Sequence, residues 1–535
     1  MDPGHGRVRG RGVDFQPKLD PIVRVDANRL RARLSAYYGE EGSQDPLRIE
    51  LPKGSYVPVM TEQSADAEKC RDGAVSFAVL PFVNLSGDPR KDYFSDSLTE
   101  ELIHCLAQFD GIRVIARSSA FAYKDRNTDA HEIGQHLGVT HIVEGSVRIV
   151  GQGLRVTAQL ISAEHGGLLW SERFDRLWMD VFDVQDEIVA SISDAVRIRL
   201  GTSDTSRVFR RATSSPDAYA QYLLGRYHWN RRTPQSLHLS LDYYRAALAM
   251  DPGFALAWCG MADTLSVQVV NQQARTATVR TVAMNAASKA MALMPDLAEA
   301  HSSLGFVRGV LEWEWEEGER LLAEGARMQP GAATGHYMHA IVGLQPLGRL
   351  EEAIETLERA LRFDPLSPVL HRDIAILYFM NRMFDSAIAY LHRCQTIDPT
   401  FLGGHYWLGR ALLAIGRPQE ATEALRRRAA AGDSSMRLLV TLASAHRASG
   451  EERSAQSVEA QVIEGAKDGI TPPFDLALLH LGAGDLALAR HYLSAAVEER
   501  SGALYQLDVD PVFDPLRATA EFQRLRRQVR LPSKK

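Results

Sequence analysis

The chain has little of what marks several function classes. Its 535 residues hold four cysteines, Cys70, Cys105, Cys259 and Cys394, too far apart for a CxxC pair or a zinc-type spacing. Reduced structural thiols in a reducing compartment are expected. No apolar run approaches the roughly 18–20 residues of a membrane-crossing helix, and no signal peptide is visible at Met1. A cytoplasmic protein without a membrane span is therefore expected. A net charge of −6 does not mark the whole chain as a polyanion binder. Gly145, Gly151 and Gly153 form neither a GxGxxG nor a P-loop cradle, so nucleotide binding has no motif. His131, His136, His141 and His165 lack metal-ligand spacing; the first two would point to different sides of a helix. No catalytic, cofactor-binding or metal-binding residue is assigned.

What is present is a punctuation. Asp251-Pro252, Met294-Pro295, Gln329-Pro330, Asp364-Pro365 and Asp398-Pro399 place prolines at intervals of 43, 35, 35 and 34 residues. Such a period marks a helical repeat array and a binding scaffold. In 366–399, Ile374, Ala375, Tyr378, Ala387, Leu391 and Cys394 recur at helical spacing, and Asn381-Arg382-Met383 falls where two helices join. Ala375 and Ala387 let the helices approach, and Pro399 stops the second. One hairpin cannot bury its own apolar face, so neighbours must stack.

These residues resemble the tetratricopeptide repeat, a unit of roughly 34 residues with a small residue in its first helix, a turn Gly, an Ala in its second and a closing Pro. Tyr337, Gly348, Ala353, Leu357, Ala360 and Pro365 fit in 331–365, and Leu408, Gly409, Gly416, Ala421 and Leu425 fit in 400–432. Units at 217–252 and 254–295 carry insertions, and 296–330 shifts register around Trp313-Glu314-Trp315, a pair of tryptophans read as local packing. Hairpins remain readable at 434–467 and 472–500.

Before the repeats, short β-rich runs alternate with amphipathic stretches from Val75 to about Leu200, which reads as an α/β domain. Strands are expected over Ser76–Phe82, Arg113–Arg117, Thr140–Ile149, Leu154–Ile161 and Leu168–Phe174, and helices over Ser97–Phe109, Ala130–Leu137 and Val181–Leu200. Asp88, Asp92, Asp96, Glu100 and Glu101 gather near a strand-to-helix junction, either as acid/base groups or, preferred here, as stabilisers of a helix N-terminus. FAVLPFVNLSGDPRKDYFSDSLTEELIHCLAQF, RVIARSSAFAYKDR and FDVQDEIVASI are similar to the TolB-like domain of bacterial regulatory proteins, which stands upstream of tetratricopeptide repeats and downstream of a DNA-binding or adenylate cyclase domain.

At the N-terminus, PIVRVDANRLRARLSAYY reads as a helix, followed by a strand LRIEL, a turn Pro52-Lys53-Gly54 and a strand SYVPV. VRVDANRLRARL and RIELPKGSYVPV resemble the recognition helix and wing of OmpR-type regulators. That resemblance nominates Arg24, Asn28, Arg29, Arg31, Arg33 and Lys53 as DNA contacts. The sheet and two helices that open such a domain do not fit before residue 20, so a partial winged-helix remnant is expected, marginal as an isolated helix.

The expected architecture is multidomain: a truncated winged-helix-like segment at 1–60, a linker at 61–74, a TolB-like α/β domain at 75–200 and a linker at 201–216. An all-α tetratricopeptide solenoid at 217–508 and a capping segment with a tail at 509–535 complete it, with Pro532–Lys535 expected to be disordered. The function expected is non-catalytic: a regulatory scaffold whose repeats bind a protein or peptide partner, with Tyr337, His371, Arg372, His405 and Tyr406 as groove positions. The alternative is a DNA-binding transcriptional regulator. A further reading is an adenylate-cyclase-associated signalling protein without the catalytic domain.

Overall fold

Apolar alternation decides the sheet. Strand side chains point to opposite faces in turn, so Phe77 and Val79 enter one core while Ala78 enters another. The computed structural model describes residues 75–107, 109, 112–126, 128–177, 180–195 and 213–532, together with Tyr37 and strands β1 (Leu47–Glu50) and β2 (Val59–Glu62). The chain divides into two compact units, residues 1–74 and 75–535.

In the first unit β1 and β2 are antiparallel, with Leu47 opposite Glu62 and Glu50 opposite Val59. The described second strand begins at Val59, the last residue of the expected Ser55–Val59, and Ser55–Pro58 lie outside the described residues. Thr61 and Glu62 consequently belong to a strand, not to a linker. Arg24, Asn28, Arg29, Arg31, Arg33 and Lys53 lie outside the described residues, as do Cys70, most of 61–74, 201–212 and 533–535.

The second unit opens with a mixed sheet. Strands β3 (Ser76–Val79), β4 (Val83–Asn84), β5 (Arg113–Val114), β6 (His141–Val150), β7 (Gly153–Ser162) and β8 (Leu168–Leu177) run in the order β5-β3-β6-β7-β8, with β4 also paired to β6. The β3, β4 and β5 pairings are parallel, and β6-β7-β8 is an antiparallel meander. Helices Asp92–Leu106 and Val181–Ala195 supply Phe94, Leu98, Leu102, Ile188 and Ile192 to the core of one face. Helix Ala130–Leu137 covers the other with Ile133 and Leu137. Only Arg113 and Val114 of the expected 113–117 strand pair, because the Ala116 amide donates instead to Phe363 O in the repeats, and Arg117–Phe121 is helical. Edge strand β8 carries Glu172, Arg173, Asp175 and Arg176, charges that discourage edge-to-edge pairing.

Eight helical hairpins follow among the described residues. They are Pro216–Arg231 with Pro234–Met250, Ala255–Val270 with Thr276–Leu293, Ala298–Phe306 with Trp315–Met328, and Ala333–Met338 with Leu350–Ala360. The rest are Pro368–Met380 with Phe384–Ile397, Gly403–Ala414 with Pro418–Ala430, Met436–Ala448 with Glu452–Lys467, and Pro473–Gly482 with Leu486–Glu498. The first helix of each is here called A and the second B. A Cβ on Gly225 would stand 2.5 Å from the Tyr244 ring, and one on Gly260 would overlap the same ring, so bare backbone on two A helices lets that ring fill the space between hairpins. The register shift near Trp313 has a physical basis: a π-helical turn, Val307–Leu311, extends the third A helix, and Trp313 then takes φ 61°.

Candidate inner-face site

Equivalent positions after each closing proline do different work. Six residues after Pro252, Pro295 and Pro330 stand Trp258, His301 and His336. Each places a ring nitrogen 2.8 to 2.9 Å from the carbonyl of its own proline. These rings tie the inter-repeat turn. His371 and His405 occupy the same offset after Pro365 and Pro399. His371 is buried, with Nδ1 2.9 Å from Ser367 O and its ring against Tyr390 of the B helix. His405 is likewise buried, and burial, with Arg427 and Arg428 of the B helix, holds its imidazole below the usual value. Both therefore serve packing between A and B helices.

Tyr337, Arg372 and Tyr406 stand one residue further, seven after their prolines, and the structure brings the first two together. Burial and the neighbouring Asp373 carboxylate push the Tyr337 hydroxyl up to about 12. Arg372 holds Asp373 through two hydrogen bonds, Nε to Oδ1 at 2.8 Å and Nη2 to Oδ2 at 3.0 Å. Burial pulls the guanidinium down, but Asp373 outweighs it and the net shift is upward. Tyr505, from the segment after the last hairpin, is raised by burial and by Tyr337 and Asp373, which places it in the same cluster. Tyr406 packs edge-on to Trp407 beside Arg410, and its hydroxyl is buried without a hydrogen-bond partner.

Sequence reading missed the other half of this face. Arg232, at φ 57°, stacks its guanidinium 3.5 Å above the Trp229 ring and forms no ion pair among the described residues. Arg232 is exposed, yet the helices crowded around it partly desolvate and depress its guanidinium, and Arg226 and Arg372 add to that, while Tyr337 and Asp263 oppose. Burial pushes the Asp263 carboxyl up to about 6, against the pull of the Ser303 hydroxyl, Arg226 and Arg232. Asp263 Oδ1 and Ser303 Oγ are both buried, side by side. The available signal was the lone charged residue of the A helix Ala255–Val270, whose sequence is ALAWCGMADTLSVQVV.

The acidic cluster does not form a separate site. Asp88 caps a short 3₁₀ turn through the Arg90 amide, and Asp92 accepts from Asn84. Asp96 lies in the opening turns of its helix, not at the cap, and pairs with Lys124 at 2.5 Å. Glu100 faces the repeats, paired with Arg226 and hydrogen-bonded to Asn230 at 3.2 Å, with Arg117 at 3.4 Å. Burial raises Glu100, but Arg226 and Arg117 outweigh it and hold the carboxyl low. A second junction lies at the fourth closing turn, where buried Asp364 accepts from the Ser119 amide at 3.0 Å, Ser119 Oγ at 2.6 Å and Ser118 Oγ. No group of His, Cys, Asp or Glu among the described residues is placed to hold a metal, and no described helix is long and apolar enough to cross a membrane.

Residues 73–191 match the second domain of HilA/YgeH-like transcriptional regulators, and 314–368 match the tetratricopeptide repeat. The chain is 38% identical over 197 residues to putative adenylate cyclase 3 of Rhizobium meliloti (strain 1021), covering 37% of this chain and 34% of that one. It is 32% identical over 116 residues to small glutamine-rich tetratricopeptide repeat-containing protein 2 of Mycosarcoma maydis, covering 22% and 33%. The chain thus spans about a third of the length of these curated relatives. A thermophilic TPR protein of Thermus thermophilus superposes with a TM-score of 0.32 at 19% identity, over 37% of this chain and 99% of the other. The chain thus carries a helical array with a tetratricopeptide repeat match, behind an α/β region similar to a regulator's second domain, and shares sequence with a putative adenylate cyclase.

Proposed function

We propose that this chain is a non-catalytic regulatory scaffold whose repeat array binds a peptide segment of a protein partner along the inner face of its A helices. One observation carries the reading: Arg232, Asp263, Ser303, Tyr337 and Arg372, from successive hairpins, gather into one polar and charged cluster. Charged and polar side chains contributed by successive repeats to one face suit a polar peptide ligand. Panning a displayed library of random peptides on the full chain tests it. A consensus peptide held by the wild type and released by Arg232→Gln and Tyr337→Phe is expected; enrichment unchanged in both variants would sink the reading.

A second reading is DNA binding by the first unit, with the α/β region acting as the TolB-like signal module. It is favoured by the antiparallel β1-β2 pair, which suits a wing, and by the position of residues 1–74 ahead of a match to a regulator's second domain. Arg24, Asn28, Arg29, Arg31, Arg33 and Lys53 are the proposed contacts. A salt-titrated binding assay on genomic fragments checks it: sequence-selective retention lost in the Arg29→Ala/Arg33→Ala double variant supports it, and no retention at low salt removes it.

A further inference from the structure

Away from the inner face, a cavity of about 420 Å³ opens between the third and fourth hairpins. Arg327, His336, His339, Arg359, Arg362 and Phe363 line it, with Ala323, Ala326 and Pro330 as apolar wall. No carboxylate lines it. Glu324 neutralises Arg327 and Glu319 contacts His339. Arg359 and Arg362, both exposed, form no ion pair among the described residues; the one side-chain bond of Arg359 is to Thr356 Oγ1 at 3.2 Å. On a chain of net charge −6, two uncompensated guanidiniums around one concavity are a local excess of positive charge.

We propose that this cavity binds a small, multiply charged oxyanion. Guanidinium forks match phosphate and carboxylate oxygens bidentately, and two of them converge here without a protein acid to occupy them. Phe363 stacks on His336 at 6.4 Å and 8°, forming with the alanines an apolar wall for the ligand's carbon skeleton. The volume falls in the range of small-molecule sites, about 300–1,000 Å³. The same turn is where the α/β region docks: Arg113 donates to Arg362 O at 2.9 Å and the next residues lead into Asp364. A bound anion would therefore sit beside the junction between sheet and repeats.

Calorimetric titration of the full chain with pyrophosphate and, separately, citrate, at matched ionic strength in sodium chloride, tests the site and separates phosphate from carboxylate ligands. Saturable binding of at least one is expected, weakened at least tenfold by Arg359→Ala and by Arg362→Ala, with Arg359→Lys intermediate. Both arginines are exposed, and unchanged melting of the unliganded variants establishes that they fold. Neither anion saturating, or equal affinity in the variants, overturns the proposal. Binding of an acidic peptide such as oligoglutamate but of neither small anion overturns it in favour of a macromolecular partner.

Discussion

Asp263 shows what a single carboxylate contributes at the inner face. Its folded-state value of about 6 lies above the ordinary 3.8, because burial disfavours the charged form. The sign follows: as pH rises from about 4 to about 6 the unfolded chain releases this proton first, so ionisation of Asp263 lowers stability, and the loss levels off above about 6. Asp263→Asn should raise the unfolding free energy by about 3 kcal/mol at pH 8 and give no gain near pH 4, read from urea unfolding at both values. A gain that does not depend on pH would show that the carboxylate is not the cause. Sequence reading reached Tyr337 and Arg372 as helix A residues not used in stacking the repeats. It could not reach Asp263 or Arg232, whose neighbours come from other hairpins.

At the scale of one hairpin, glycine placement sets how closely helices cross. A Cβ on Gly318 would meet the backbone N and Cα of Gly309 at 2.8 Å, whereas a Cβ on Gly309 has nothing nearer than 3.9 Å. Gly318→Ala should therefore destabilise by about 1–3 kcal/mol, since backbone must move to relieve the overlap. Gly309→Ala should be neutral or mildly stabilising, since alanine suits a helix interior. Thermal melts of the two variants separate the cases; equal losses would refute the close crossing of these helices. The helices themselves were legible: the turn at Asn381-Arg382-Met383 falls between Pro368–Met380 and Phe384–Ile397 as its spacing predicts. The π-helical turns Val307–Leu311 and His339–Leu344 were not. They answer to packing against neighbouring hairpins rather than to local propensity.

For the second unit as a whole, the segment after the last hairpin folds back across the array. Arg500 donates to Leu311 O at 3.1 Å, Trp315 Nε1 to Val529 O at 2.8 Å, Arg382 pairs with Asp514 at 2.6 Å and Arg410 with Asp510 at 2.7 Å. Phe513 and Phe522 are fully buried in the same continuous core as the sheet and the hairpins. The Arg410–Asp510 side chains are 10% and 5% exposed, so removing one partner strands a buried charge. Asp510→Ala should cost about 3–5 kcal/mol. It should also increase dye binding to newly exposed apolar surface, while Arg382→Ala, at the exposed Asp514 pair, should cost under about 1 kcal/mol. Similar losses in both variants would contradict an anchoring role for the buried pair.

The proline period, the alternation in the strands and the amphipathic spacing of the hairpins are local properties of the chain. They determined that an α/β region precedes a helical repeat array, because backbone conformation and the choice of buried face depend on residues a few positions apart. Which histidines tie turns and which A-helix residues share one polar cluster was decided by tertiary structure. So was the docking of Asp364 against Ser118 and Ser119, and the path of residues 500–531 across the array. The docking and fold-back contacts join positions more than a hundred residues apart. Burial and electrostatic pairing at that range depend on how hairpins stack, which no single repeat encodes.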